Sequence, residues 1–230
     1  MNSIAIITAR GGSKRIPKKN IKKFCGRPII EYSIQTALES GIFDEVMVST
    51  DDEEIADIAI RCGAKVPFMR SQQTSNDFAT TADVISEVLN EYEVRGKSFD
   101  IACCIYPTAP FITSFKLVQA MKILKETDAD TVLPLAAFSY PPQRGFIVKG
   151  SNAEMKYPEY MDSRSQDLEK IYHDCGQFYC FKIESFQKTG KIMCGKISPI
   201  IIPELEMQDI DTLEDWKLAE LKFMLMKQES

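Results

Sequence analysis

The chain has 230 residues, 44% of them hydrophobic, enough to bury a sizeable core in one domain with an appendage. Its 28 basic and 33 acidic side chains give a net charge of −5, which argues against a general nucleic-acid binder. No apolar stretch reaches the roughly 18 residues that span a membrane, and residues 1–8 lack the charged start and long apolar core of a signal peptide. Seven scattered cysteines (25, 62, 103, 104, 175, 180 and 194) form no C-x-x-C pair, and there is a single histidine. Reduced thiols in a cytoplasm are therefore expected, without a disulfide framework, a zinc site or a multi-histidine metal centre.

Strands and helices alternate along the chain. Ile4–Thr8 reads as a first, buried strand. Between it and the apolar segment that begins at Pro28 lies a loop whose residues 9–20 hold two adjacent glycines, a serine and five basic side chains. Glycines let the backbone bend sharply and approach a ligand, and successive N–H groups in such a turn can form an anion-binding nest. A net acidic chain has thus gathered its densest cationic cluster at the end of one strand, which points to a bound polyphosphate. The spacing is not that of a P-loop or of the dinucleotide fingerprint, because Pro17 interrupts the segment and Asn20 ends it.

Pro28–Ser40 is read as a helix, with Ile30, Ile34, Ala37 and Leu38 on one face and Gly41 as its stop. Glu45–Ser49 is a strand. The Asp52–Arg61 helix opens on acidic residues, where the helix dipole favours them. Val66–Met69 reads as a short strand and Thr81–Tyr92 as a helix. The unbroken apolar run Ile101–Ile105 suits a central parallel strand. Phe115–Thr127 is a helix and Thr131–Leu135 a strand. Gln177–Lys182 and Ile197–Ile202 are strands, and Leu213–Lys227 is a closing helix. The alternation predicts a doubly wound α/β sheet, mostly parallel. From Ala137 to Lys170 the pattern lapses into prolines, glycines and polar residues around one clear strand, Phe146–Val148. The expected layout is a domain of residues 1–136 and 171–230 with an inserted arm of residues 137–170.

Near the C-terminus stands Asp209-Ile210-Asp211. In extended chain the two carboxylates face one way, roughly 7 Å apart at Cα, with Ile210 on the other side. Two such oxygens beside substrate phosphates suit Mg²⁺. Thr212 and Asp215 are also spaced to cap the final helix.

Ile7 to Asn20 resembles the first motif of the cytidylyltransferases that activate acidic nine-carbon sugars, the acylneuraminate family. Asp209-Ile210-Asp211-Thr212-Leu213-Glu214-Asp215-Trp216 resembles a second motif, and the similarity runs over nearly the whole chain. The resemblance implies a nucleotidyltransferase Rossmann-like fold. It also implies a Mg²⁺-dependent reaction of CTP with a free 2-keto sugar acid, giving a CMP-sugar and pyrophosphate. It assigns Ala9, Arg10, Gly11, Gly12, Ser13, Lys14, Lys19 and Asn20 to CTP, with Arg10 and Lys19 stabilising the α-phosphate and the leaving pyrophosphate. Arg15, Lys18, Lys22 and Lys23 are expected to be solvated. Arg70 and Thr81 are placed near the cytosine, with Thr80 or Thr81 as a competing helix cap. Ser49-Thr50-Asp51-Asp52 is read as a strand end and helix cap. Asp209 and Asp211 are assigned to Mg²⁺.

The departures from the sialic-acid pattern cluster elsewhere. Tyr106, Ala109 and Ile112 stand where that pattern has Gln, Ser and Arg. His173, Cys175 and Gln177 replace Arg, Asn and Ala in the segment that ends at Tyr179. The mix resembles the branch of the family that activates pseudaminic acid, a more deoxygenated and doubly N-acylated nonulosonic acid, in flagellated bacteria, where flagellin glycosylation is the implied context. Tyr106, His173, Gln177 and Tyr179 are the expected sugar contacts. The arm resembles the family's dimerisation segment, which implies a homodimer with Arg144 reaching the sugar carboxylate across the interface. Arg164 is a second candidate for that contact. Legionaminic or N-acetylneuraminic acid, and a non-catalytic nucleotide-binding regulator, stay open as alternatives.

Overall fold

The computed structural model describes residues 1–228. In chain order its elements are β1 (Ser3–Thr8), β2 (Lys23–Phe24), β3 (Arg27–Pro28), α1 (Ile29–Glu39), β4 (Glu45–Ser49), α2 (Glu53–Arg61), α3 (Gln72–Ser75) and α4 (Thr81–Val94). Then come β5 (Ile101–Ile105), α5 (Ser114–Glu126), β6 (Thr131–Ala137), β7 (Phe146–Lys149), β8 (Asn152–Met155), β9 (Tyr172–Asp174), β10 (Phe178–Lys182), α6 (Ile183–Thr189), β11 (Ile197–Ile201) and α7 (Leu213–Gln228).

The main sheet runs β11-β6-β10-β5-β1-β4, with β9 also paired to β6. β1, β4 and β5 are parallel, as are β6 and β11, while β9 and β10 run against their neighbours. Helices cover both faces, so the central strands are apolar on both. One face packs Ile7, Val48 and Ile105 under α1, α2 and α5, and the other packs Ile4, Met47 and Cys104 under α4 and α6. This is the expected doubly wound architecture, with the cysteines of β5 and β10 in the core.

Three differences from the sequence reading have physical causes. The strand expected at Val66–Met69 is absent: only Lys65 bridges Met47, and Pro67 lacks the N–H a ladder would need. The strand expected at Gln177–Lys182 forms as β10, but an additional strand, β9, precedes it on the same neighbour, β6. Leu135 pairs with Asp174, yet Val132, three residues earlier, pairs with Cys180, six residues later. Cys175, Gly176 and Gln177 therefore bulge out of register, and Pro134, without an N–H, lies at the break. Finally, the short helix α6 carried too few turns to show a period, although its stop, Gly190, adopts φ 65° as a left-handed cap.

A third apolar cluster fastens the ends of the chain together. Ile16 from the basic loop, Phe24, Tyr32, Phe111, Ile210 and the α7 residues Trp216 and Phe223 are all buried in it. Phe24 is edge-on to Tyr32, Trp216 and Phe223, with ring centroids 5.4–5.7 Å apart. The inserted segment holds the exposed ribbon β7–β8. Phe24→Ala should cost about 3–5 kcal/mol by cavity formation, read from the urea midpoint with the single Trp216 as probe. A loss under about 1 kcal/mol would show that the cluster collapses without it.

Candidate active site

The C-terminal edge of the parallel strands carries the site, where open α/β sheets bind ligands. β1 ends in the basic loop. Ala9 continues the ladder by donating to the Ser49 carbonyl, and Asn20 donates to the Arg10 carbonyl at 2.9 Å, closing the loop. Gly11 is required by close approach: a Cβ there would lie 2.7 Å from an Asp52 carboxylate oxygen, while one at Gly12 meets nothing. The Gly11 N–H is taken by Asp51 at 2.9 Å, so it is not an open member of an anion nest. Lys18 turns the chain with φ 51°, turning Lys19 inward.

Arg10 reaches Asp77 at 3.0 Å, and Lys14 pairs with the same carboxylate. These two cations hold the Asp77 carboxyl below the usual range. Lys19 is largely withdrawn from water, its side chain 18% exposed; burial lowers its pKa, against the pull of Asp211 and Asp209. Arg15, exposed as expected, also donates to Asp211 at 2.7 Å, while Lys19 lies 3.9 Å from the other oxygen of that carboxylate. Lys18, although exposed, pairs with Glu54. Asp209 and Asp211 face a common cavity while Ile210 between them is 1% exposed. Thr212 and Asp215 form the reciprocal cap of α7, as their spacing predicts.

Three adjoining hollows share these residues. A 260 Å³ hollow holds Ser13, Lys14 and Arg15 between Arg10, Lys19 and Asp211. A second of 260 Å³ begins at Arg10 and includes Arg70, Asp77, Thr81, Tyr106 and Thr108. A third, of 510 Å³, runs from Lys19, Asp209 and Asp211 to Tyr106, Thr108, His173 and Gly176. Arg10, Lys19, Asp211, Tyr106 and Thr108 each line two of them, so the three form one cleft. A separate cavity of 350 Å³ at the opposite end of the sheet, with Lys97, Asp100 and Lys182, contains none of the motif residues.

Arg70 is buried and gripped by Ser49, its Nη2 donating to the carbonyl at 2.6 Å and its Nε to the hydroxyl at 3.0 Å. Burial lowers its pKa, yet a guanidinium stays charged. Thr80, not Thr81, caps α4 in a box with Asp83. This frees the Thr81 hydroxyl to stand 3.4 Å from the Tyr106 hydroxyl. Asp52 caps α2 as expected.

Tyr106 and His173 line the larger hollow, and the His173 ring packs tilted against Phe138 with centroids 4.8 Å apart. Tyr179 is buried beside Tyr106 and donates to Asp174 at 2.6 Å; burial and that acceptor push its pKa up, so it remains a donor. Gln177 is 2% exposed and sits behind the wall, its amide nitrogen donating to the Glu206 carbonyl at 2.7 Å. Arg144 is exposed on the inserted segment and donates to Ser165; neither it nor Arg164 lines the cleft of this single chain. The sequence reading missed Arg15, Asp77 and Asp174 as members of the site. Arg15 and Asp77 meet partners far along the chain, which spacing cannot reveal.

Residues 4–177 match the sequence pattern of the family described as Cytidylyltransferase. The chain is 39% identical over 224 residues to the pseudaminic acid cytidylyltransferase of Campylobacter jejuni, covering 97% of each chain. It is 31% identical to the CMP-N,N'-diacetyllegionaminic acid synthase of Legionella pneumophila, covering 100% of this chain and 99% of that one. Its fold is similar to that of a CMP:2-keto-3-deoxy-manno-octonic acid synthetase solved with CTP, with a TM-score of 0.71 at 18% identity over the whole of both chains.

Because folding desolvates Lys19 and lowers its pKa, the protonated form costs folding free energy below its folded pKa, and that cost is relieved as pH rises through it. Lys19→Met should therefore leave the melting temperature at pH 7 unchanged or higher while weakening triphosphate binding. A clear fall in melting temperature would show that its attraction to Asp211 outweighs the desolvation.

Proposed function

The chain belongs to the cytidylyltransferase family, and we propose from that premise that it joins CMP from CTP to pseudaminic acid, releasing pyrophosphate. The observation that carries this reading is the single cleft in which a cationic loop and a carboxylate pair stand between two differently lined hollows.

In this proposal the Arg70 and Thr81 hollow takes the cytosine, because a guanidinium and a hydroxyl provide the directional groups an uncharged base edge needs. Arg10, Ser13, Lys14, Lys19 and Asn20 hold the triphosphate. Arg10 and Lys14 exchange Asp77 for phosphate oxygens as it enters. The 510 Å³ hollow takes the sugar. The buried rings of Tyr106 and Tyr179 suit a face with few hydroxyls, and His173 stands at the same wall. The anomeric hydroxyl attacks the α-phosphorus in line, the new P–O bond forms as the bond to the β-phosphate oxygen breaks, and the hydroxyl proton passes to solvent. Arg10 and Lys19 offset the charge that develops on the α-phosphate and the leaving pyrophosphate.

Asp209 and Asp211 fit Mg²⁺, since they offer two hard oxygens on a cavity wall, and substrate phosphates and water complete such a shell. Among the described residues no third acidic, histidine or cysteine ligand joins them. Bound there, Mg²⁺ would act as Lewis acid and template. Arg15, which grips Asp211, must yield part of that carboxylate to the metal.

The same reading makes residues 137–170 the contact between two copies in a cytoplasmic homodimer. It is supported by an exposed apolar ribbon whose Phe146 is 65% open to water. Sedimentation at the monomer mass would remove this part of the proposal.

Pyrophosphate release from CTP and Mg²⁺ with pseudaminic, legionaminic and N-acetylneuraminic acids in parallel tests the whole. Release is expected with pseudaminic acid above the others, and Asp209→Ala should lower it by about 10²-fold or more in a folded protein. Preference for another acid would overturn the sugar assignment, and near-normal turnover of the variant the metal assignment.

A further inference from the structure

Glu206 stands three residues before Asp209 and is held from both ends. Its carboxylate lies 2.7 Å from the Lys116 ammonium, which is almost wholly buried. Its backbone carbonyl accepts from the Gln177 amide at 2.7 Å. Lys222 of α7 adds bonds to the carbonyls of Glu204 and Met207 at 3.2 and 3.0 Å, so the whole segment before the carboxylate pair is tethered.

Lys116 does a second thing. Its ammonium donates to the Phe111 carbonyl at 3.0 Å. Phe111 closes the turn that carries Tyr106 and Thr108. One buried cation therefore joins the segments that stand on opposite sides of the 510 Å³ hollow, the Tyr106–Thr108 turn and the Asp209–Asp211 strip, although it lines none of the cleft itself. Gln177 repeats the connection through its backbone: its carbonyl accepts the Tyr106 N–H at 2.9 Å while its side chain holds Glu206.

Stability alone gives no reason to bury this charge. Lys116 falls on the apolar stripe of α5, with Leu117, Ala120, Met121 and Leu124, where a methionine of similar length would fill the space. Replacing a buried ion pair by apolar groups is often neutral or stabilising, whereas an ion pair fixes geometry. The two bonds of Lys116 act at a distance that matters to the chemistry, since they set how far the carboxylate pair stands from the sugar wall.

We propose that Lys116 is a positioning residue. Through Glu206 and the Phe111 carbonyl it holds the Asp209–Asp211 strip in register with the Tyr106–Thr108 turn. The proposal rests on the reaction proposed above, in which those two segments meet CTP, metal and sugar.

The test compares Lys116→Met, Lys116→Arg and Glu206→Gln with the unaltered protein, by steady-state kinetics and by amide hydrogen exchange. Lys116→Met is expected to lower kcat roughly ten- to a hundredfold, because displacements of about 1 Å are felt at that level, with the KM for CTP within about twofold. Exchange at residues 204–211 should quicken while β1 and β5 stay as slow as before. Lys116→Arg, which keeps the charge, should recover most of kcat. A kcat within about twofold of the unaltered protein, or exchange that quickens equally in the strands and in 204–211, would overturn the proposal. Should Lys116→Met not fold, Glu206→Gln, which keeps the shape and removes the ion pair, is judged by the same two readouts. The exchange comparison needs no substrate, so it decides the tether even if the sugar assignment fails, and turnover by the unaltered protein decides the reaction separately.

Discussion

The site depends on one apolar side chain set between two charged ones. Ile210 is buried among Ile16, Phe24 and Trp216, and this burial turns Asp209 and Asp211 toward the cleft. Two charged groups of opposite sign, the basic loop near the start of the chain and the carboxylate pair near its end, would be held face to face only weakly by their own attraction in water. The apolar wedge does it without using either set of charges. Ile16 comes from the basic loop and Trp216 from the helix that follows the carboxylates, so one cluster fixes both sides of the cleft. The α7 cap by Thr212 and Asp215 then fixes where the extended strip ends and the helix begins.

The charges left over are shared. Asp211 meets Arg15 and Lys19, and Asp77 meets Arg10 and Lys14. Most of these pairs are exposed and each is worth little to stability. Their weakness is useful, since a polyanion with several oxygens can exchange partners with them one at a time. Lys19 and Arg70 differ in being largely buried, and burial lowers the pKa of both. They are the groups a ligand would repay most.

The basic loop and the carboxylate pair were legible in the sequence because each is local. Strand, glycine loop, Lys19 and Asn20 lie within twenty residues, and the Asp209-Ile210-Asp211 alternation states its own geometry. The reading gave equal weight to Gly11 and Gly12, but only Gly11 faces a neighbour, Asp52, that forbids a side chain. Arg15 looked like a solvated cation because its partner is 196 positions away. Gln177, expected as a sugar contact, lies behind the wall of the larger hollow, since the bulge that turns it inward depends on how β9 and β10 share β6. Lys116 left a faint trace, a charge on an otherwise apolar helical stripe, whose meaning appears only when Glu206 is beside it.

The shift of pairing between β9 and β10 bears on how such a chain can change over generations. His173 belongs to one ladder and Tyr179 to another, with Cys175 and Gly176 in neither. A substitution at 173 therefore alters the wall of the larger hollow without shifting the strand that completes the sheet core. The basic loop has no such slack, held as it is by Asn20, Asp51 and the wall at Asp52. Lineages built on this backbone can change the lining of the larger hollow while the basic loop stands still.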